Sequence, residues 1–136
     1  MKKLLSTNYS DLSFNISLFL LRVVPGLMML ANHGYGKLVH FADRKDKFIN
    51  LWGMGSTTSL ALVIFAEFFC AFLLIIGLFT RLSVIPLVIS LSVALFKAHS
   101  GDIFGDGEIA AAFLTIFFSI LLLGPGKFSV DGIMGK

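Results

Sequence analysis

Arg22, Glu67, Lys97 and Glu108 interrupt or edge long runs of Leu, Ile, Val, Phe, Ala and Gly. An ionised side chain at the centre of a membrane helix costs about 2.5 to 3.5 kcal/mol even on the most lenient insertion scale, so such groups are rarely left alone. Two chemistries fit these types. Arg22 and Glu67 are each expected near the middle of adjacent antiparallel spans, where they can meet at one depth. Such a pair either locks two helices together or responds to a proton or ligand, because desolvation and a neighbouring charge both act on a carboxylate's protonation. The second group is His33, Lys97, His99 and Glu108, expected together at the helix ends, with Tyr35 and Asp106 close in sequence. Two imidazoles, an ammonium and a carboxylate at the mouth of a bundle could hold a quinone head group, relay protons, or ligate a metal or haem. They could equally be polar groups snorkelling toward water. No His-x-x-His or Glu-x-x-His spacing is present, so metal and haem are the weaker readings and no metal ligands are assigned.

The elements that must position these residues follow from hydropathy. The 136 residues are 57% hydrophobic and 14% charged, with a mean hydropathy of +0.91, whereas a soluble domain carries roughly 25% charged residues. This is the composition of an integral membrane protein. Breaks at Gly, Pro and charge clusters divide it into four spans at 12–33, 58–79, 81–99 and 107–123. The expected fold is all-α, an antiparallel transmembrane four-helix bundle forming a single membrane-embedded domain over 1–136. The short turn between the second and third spans makes those helices antiparallel neighbours. The loop 34–57 carries Phe41, Phe48, Ile49 and Trp52 around a charged stretch, the pattern of a short amphipathic helix in the interface or of a polar loop with an aromatic anchor.

Interior faces can also be read. Arg22, Gly26, Met29 and His33 share one helical face, and Glu108, Ala112, Thr115 and Ser119 share another made of small and polar groups. Pro25 and Pro86 predict kinks that open space. Glu67 to Leu73 and Glu108 to Leu114 match in a Glu-x-x-x-Ala-Phe-Leu frame, and each is followed by Gly, a basic residue and Ser. That pattern suggests two pseudo-repeated helix pairs.

Net charge is +3, without a basic face, which argues against nucleic acid as a partner. Cys70 is alone in a span, so the chain has no thiol pair for relay chemistry. The basic start followed by polar Ser6 to Asp11, with no small-x-small site before Gly26, reads as a retained tail. Lys and Arg counts on the two sides tie. The short basic tail then favours cytoplasmic termini.

Several segments resemble, in order, the hallmarks of the DoxX family of small bacterial membrane proteins: His33-Gly34-Tyr35-Gly36-Lys37-Leu38, Ala66-Glu67 leading to Gly77-Leu78-Phe79-Thr80-Arg81, Lys97-Ala98-His99, Gly107-Glu108-Ile109-Ala110, and Gly124 to Asp131. The resemblance implies a four-helix bundle in the bacterial inner membrane with cytoplasmic termini. It also implies a link to redox systems, since members include a subunit of archaeal thiosulfate:quinone oxidoreductase and a mycobacterial partner of superoxide dismutase and a sulfurtransferase. By matching positions, His33, Lys37, Glu67, Arg81, His99 and Glu108 are the family's motif polar residues, while Arg22 and Lys97 rest on the reading above. The resulting expectation is a membrane subunit of an oxidoreductase system, holding a quinone or similar lipophilic small molecule through His33, Lys97, His99, Glu108, Glu67 and Arg22, alongside other subunits of a redox complex. The rivals are a scaffold recruiting soluble redox partners through the 35–55 loop, and a small transporter with Glu67 as its proton-coupled carboxylate. The transporter would need a homo-oligomer if four helices enclose too little pathway.

Overall fold

The computed structural model describes residues 1–135. Four long helices carry the chain: α1 (Asp11–Val39), α3 (Ser56–Ile76), α4 (Thr80–Ala98) and α5 (Glu108–Leu123). Two single turns accompany them, α2 (Phe41–Arg44) and α6 (Val130–Ile133). At 1.5 Å per residue the first three are long enough to cross a hydrocarbon core of about 30 Å. α5, with 16 residues, spans about 24 Å on the same rise. Three long apolar helices and a shorter one make this a multi-pass membrane protein with an all-α, four-helix fold.

The helices pack in sequence, α1 on α3, α3 on α4, α4 on α5, and α5 back on α1. Met29, Leu74, Leu87, Phe113, Phe117 and Ile120 interlock at the centre. Outward faces stay apolar, with Leu20, Val24, Leu27, Phe65, Phe69, Phe72, Ile89 and Leu122 all exposed, as lipid-facing positions must be. The start of α1 and the segment after α5 lie at one end of the bundle, since the Lys127 amide donates to Asn15 Oδ1 at 2.7 Å.

α1 begins where Ser10 caps it, its hydroxyl accepting from the Ser13 amide at 3.1 Å, and it does not stop at His33 as expected. It runs on to Val39 through a π turn at Leu30–Gly34. Gly34 is therefore no terminator. A Cβ there would collide with the backbone carbonyl of Glu67, so glycine is what lets α1 and α3 touch backbone to backbone. The expected amphipathic helix in 41–52 reduces to the one turn α2. Beyond it the chain is broken by left-handed residues at Trp52, Gly53 and Gly55. It is tied to α3 where the Leu51 amide donates to Ser59 Oγ at 2.9 Å.

Two more π turns occur, at Phe65–Cys70 in α3 and Ala94–Ala98 in α4. The π turns of α1 and α3 pack on one another. Insertions of this kind occur frequently at functional sites, and here they carry His33, Glu67 and Lys97 respectively.

The suggested internal repeat holds at its ends and fails at its carboxylates. α3 and α5 both stop at a glycine with positive φ, Gly77 and Gly124. Glu67, however, lies buried in mid-helix, while Glu108 is the exposed first residue of α5.

Candidate functional site

The expected Arg22–Glu67 pair does not form. Because α1 runs on past His33 and packs Gly34 against Glu67 and Gly26 against Ile75, Arg22 is level with the last turn of α3 rather than its middle. That turn has carbonyls with no helical donor. Gly77, in left-handed conformation, closes it by the usual glycine cap: its amide and that of Leu78 donate to Leu73 O, and the Gly77 amide also reaches Leu74 O. Arg22, 1% exposed, serves what remains, donating to Leu74 O at 3.0 Å and Ile75 O at 2.6 Å. It also donates to Phe128 O in the C-terminal segment. Asp131 does the converse for α4. Its carboxylate accepts from the amides of Phe79 at 2.9 Å and Thr80 at 2.8 Å, and its own amide donates to Gly77 O at 2.9 Å. A guanidinium on helix carbonyls and a carboxylate on helix amides each match the local dipole. This end of the bundle is a structural clasp, and beside it lies a cavity of about 400 Å³ bordered by Thr80, Arg81, Gly124, Pro125 and Asp131.

Glu67 pairs elsewhere. Lys37, brought onto α3 by the continuation of α1 past His33, donates to Glu67 Oε2. Ser90 of α4 donates to Glu67 Oε1 at 3.4 Å. Both partners are withdrawn from solvent, their side chains 16% and 7% exposed. The pair stands between two cavities. On one side is a vestibule of about 280 Å³ bordered by His33, Lys37, Glu67, His99 and Asp106, with Phe113 and other apolar residues. On the other is a chamber of about 180 Å³ bordered by Lys37, Glu67, Ser90, Phe48, Leu51 and Val93. His33 stands edge-on to Phe113, ring centroids 6.0 Å apart.

Of the six residues expected to bind a ligand, His33, His99 and Glu67 meet at this vestibule. Arg22 lies in the clasp at the far end. Lys97 is exposed, its ammonium 5.2 Å from the centroid of the Trp52 ring, because the π turn ending α4 directs it outward to the loop. Glu108 is exposed and borders a separate cavity of about 350 Å³ with Pro25 and Met28. Among the described residues no group of three His, Cys, Asp or Glu is placed to hold a metal ion.

Lys37, Ser90 and Asp106 were not among the six expected binding residues, although the resemblance marked Lys37 as a motif residue and Asp106 was read as close to the polar group. Lys37 had a signal, standing four residues after His33, one helical turn along the same face. Ending the helix at His33 concealed it. Ser90 had none, being one of several serines in α4, and Asp106 becomes part of the vestibule only through the fold of the 99–107 loop.

No curated protein and no solved structure matches the chain. The family model for DoxX matches residues 17–100, a stretch that contains the three π turns, the Lys37–Glu67 pair, His33, Ser90 and His99, and that stops short of Glu108 and the Gly124 to Asp131 segment. With well over half its length matched, the chain belongs to the DoxX family.

Proposed function

We propose that this protein is the quinone-holding membrane subunit of a bacterial inner-membrane oxidoreductase system, with its termini in the cytoplasm and with other subunits supplying or taking electrons. The observation that carries the reading is the buried Lys37–Glu67 pair set between a polar vestibule and a largely apolar chamber. A buried ion pair is costly to desolvate and is weak as a device for stability alone. Its net charge is zero, which suits a neutral head group better than an anion or cation. The residues fit a quinone ring. Lys37 offers ammonium donors to a carbonyl oxygen, Ser90 a hydroxyl, and Glu67 a carboxylate that accepts from a hydroxyl. His33 and His99 border the vestibule on the other side of the pair. A bound quinone supplies two-electron, two-proton chemistry. The chain's own residues hold its ring and move protons between Glu67 and the vestibule.

The test is co-purification. Protein in mild detergent is extracted and its lipophilic molecules are quantified by mass spectrometry. Wild type should carry quinone in stoichiometric amount, Lys37→Met and Glu67→Gln should retain less than a tenth of it, and Glu108→Ala should retain it in full. Equal quinone in Lys37→Met protein that elutes as a folded species sinks the reading.

A further inference from the structure

Between α3 and α4, on the outer surface of the bundle, lies a groove of about 280 Å³ bordered by Trp52, Phe65, Pro86 and Ile89 among others. It opens between Leu62, Phe65 and Ile89, each about half exposed on the lipid-facing surface. Its inner wall is also the wall of the chamber, since Leu51, Val63, Ser90 and Val93 border both. Apart from the Trp52 indole, Ser90 is the polar side chain among the described residues that line the groove, and its hydroxyl donates to Glu67. Groove and chamber are therefore separated by one shared layer of side chains, apolar except for Ser90. Chamber and groove are each smaller than the roughly 300–1,000 Å³ of a typical small-molecule pocket. Joined, they suit a molecule with a small head and a tail.

We propose that this groove is the seat of a single flexible apolar chain, prenyl or alkyl, and the lateral passage by which its owner reaches the Lys37–Glu67 pair from the membrane. The proposal rests on the quinone-type reading of the chamber and adds where the molecule comes from and how it lies. A neutral, single-chained amphiphile is the occupant the geometry selects. One groove serves one chain, and a charge-balanced head site offers no excess cation to a phosphate. Pro86 has a use here, since a proline without an N–H donor loosens the helix beside the groove. Trp52 forms the outer lip, held by Lys97 above its ring and by the adjoining Leu51 amide on Ser59. The cavity beside Glu108 shares Ile109 and Phe113 with the vestibule but has no lining residue in common with the chamber.

The experiment uses the full chain in lipid nanodiscs with a decylubiquinone analogue carrying a diazirine at the end of its tail, photolysed and mapped by peptide mass spectrometry. Labelling should fall on residues 51–54, 62–66 and 86–93, should saturate, and should be competed by unlabelled decylubiquinone. Ile89→Trp, which narrows the opening at an exposed position, should reduce it at least fivefold while leaving the protein folded. Saturable, competed labelling around Met28 and Ile116 instead overturns this groove and leaves the quinone reading standing. Labelling of the groove that neither saturates nor competes marks ordinary lipid contact and overturns the proposal. No saturable labelling anywhere overturns it together with the function on which it rests.

Discussion

Arg22 and Lys37 show how similar charges in one helix take unlike roles. Arg22 meets three carbonyl oxygens from two segments, a task for a planar fork of donors that an ammonium cannot imitate. Hydrogen bonds to a charged donor are worth about 1.5–3 kcal/mol each. Arg22→Ala should therefore cost at least about 3 kcal/mol of stability, and Arg22→Lys should recover part of it. Thermal unfolding in detergent measures both, and an Arg22→Ala protein as stable as wild type removes the clasp. The Lys37 ammonium instead neutralises one carboxylate at a cavity wall, and its loss should appear in ligand retention. That ionisable groups inside the apolar runs must be engaged was legible from cost alone. Their partners were not, because pairing Arg22 with Glu67 assumed that both sat at mid-span, whereas α1 runs on to Val39 and sets Gly34 level with Glu67. Asp131 had no periodic signal at all, since it acts from a single turn outside the spans.

Among the elements, the π turn of α1 decides which face the helix shows to α3. Gly26 lies against α3, its Cβ position 2.8 Å from Ile75, and eight residues later Gly34 lies against the α3 backbone. In an unbroken α-helix, at about 100° per residue, those two positions differ by about 80°. One surplus residue brings them within about 20°, so both glycines fall on one seam. Hydropathy cannot reveal a surplus residue, and for that reason His33-Gly34 reads as a helix end in sequence. Span existence and order were legible, because length and apolar character report them directly. The continuation to Val39 was not. Gly34→Ala should force the backbones apart against Glu67, with a cost of about 1–3 kcal/mol for overpacking and a loss of retained quinone at least as large as that of Lys37→Met. Gly36→Ala, where a Cβ meets nothing within 4 Å, is the control and should behave as wild type in both measurements.

For the molecule as a whole, four spans place residues near both ends on one side and the 40–55 and 99–107 loops on the other. In a Cys70→Ala background, single cysteines at Thr7 and Lys127 should resist a membrane-impermeant maleimide in intact spheroplasts, while those at Asp46 and Asp102 should react. The reverse pattern keeps the bundle and inverts it in the membrane. A split between Thr7 and Lys127 breaks the four-span topology. The four apolar helices could be counted in the sequence, whereas the charge tie left sidedness to a short tail. The clasp at the end shared by both termini has a consequence for biosynthesis. Phe128 and Asp131 are translated after every residue they hold, so the Arg22 bond to Phe128 and the Asp131 bonds to the Phe79 and Thr80 amides are the last of the clasp to become possible. The clasp can close only when the final segment folds back, making its arrival the step that seals the inserted bundle.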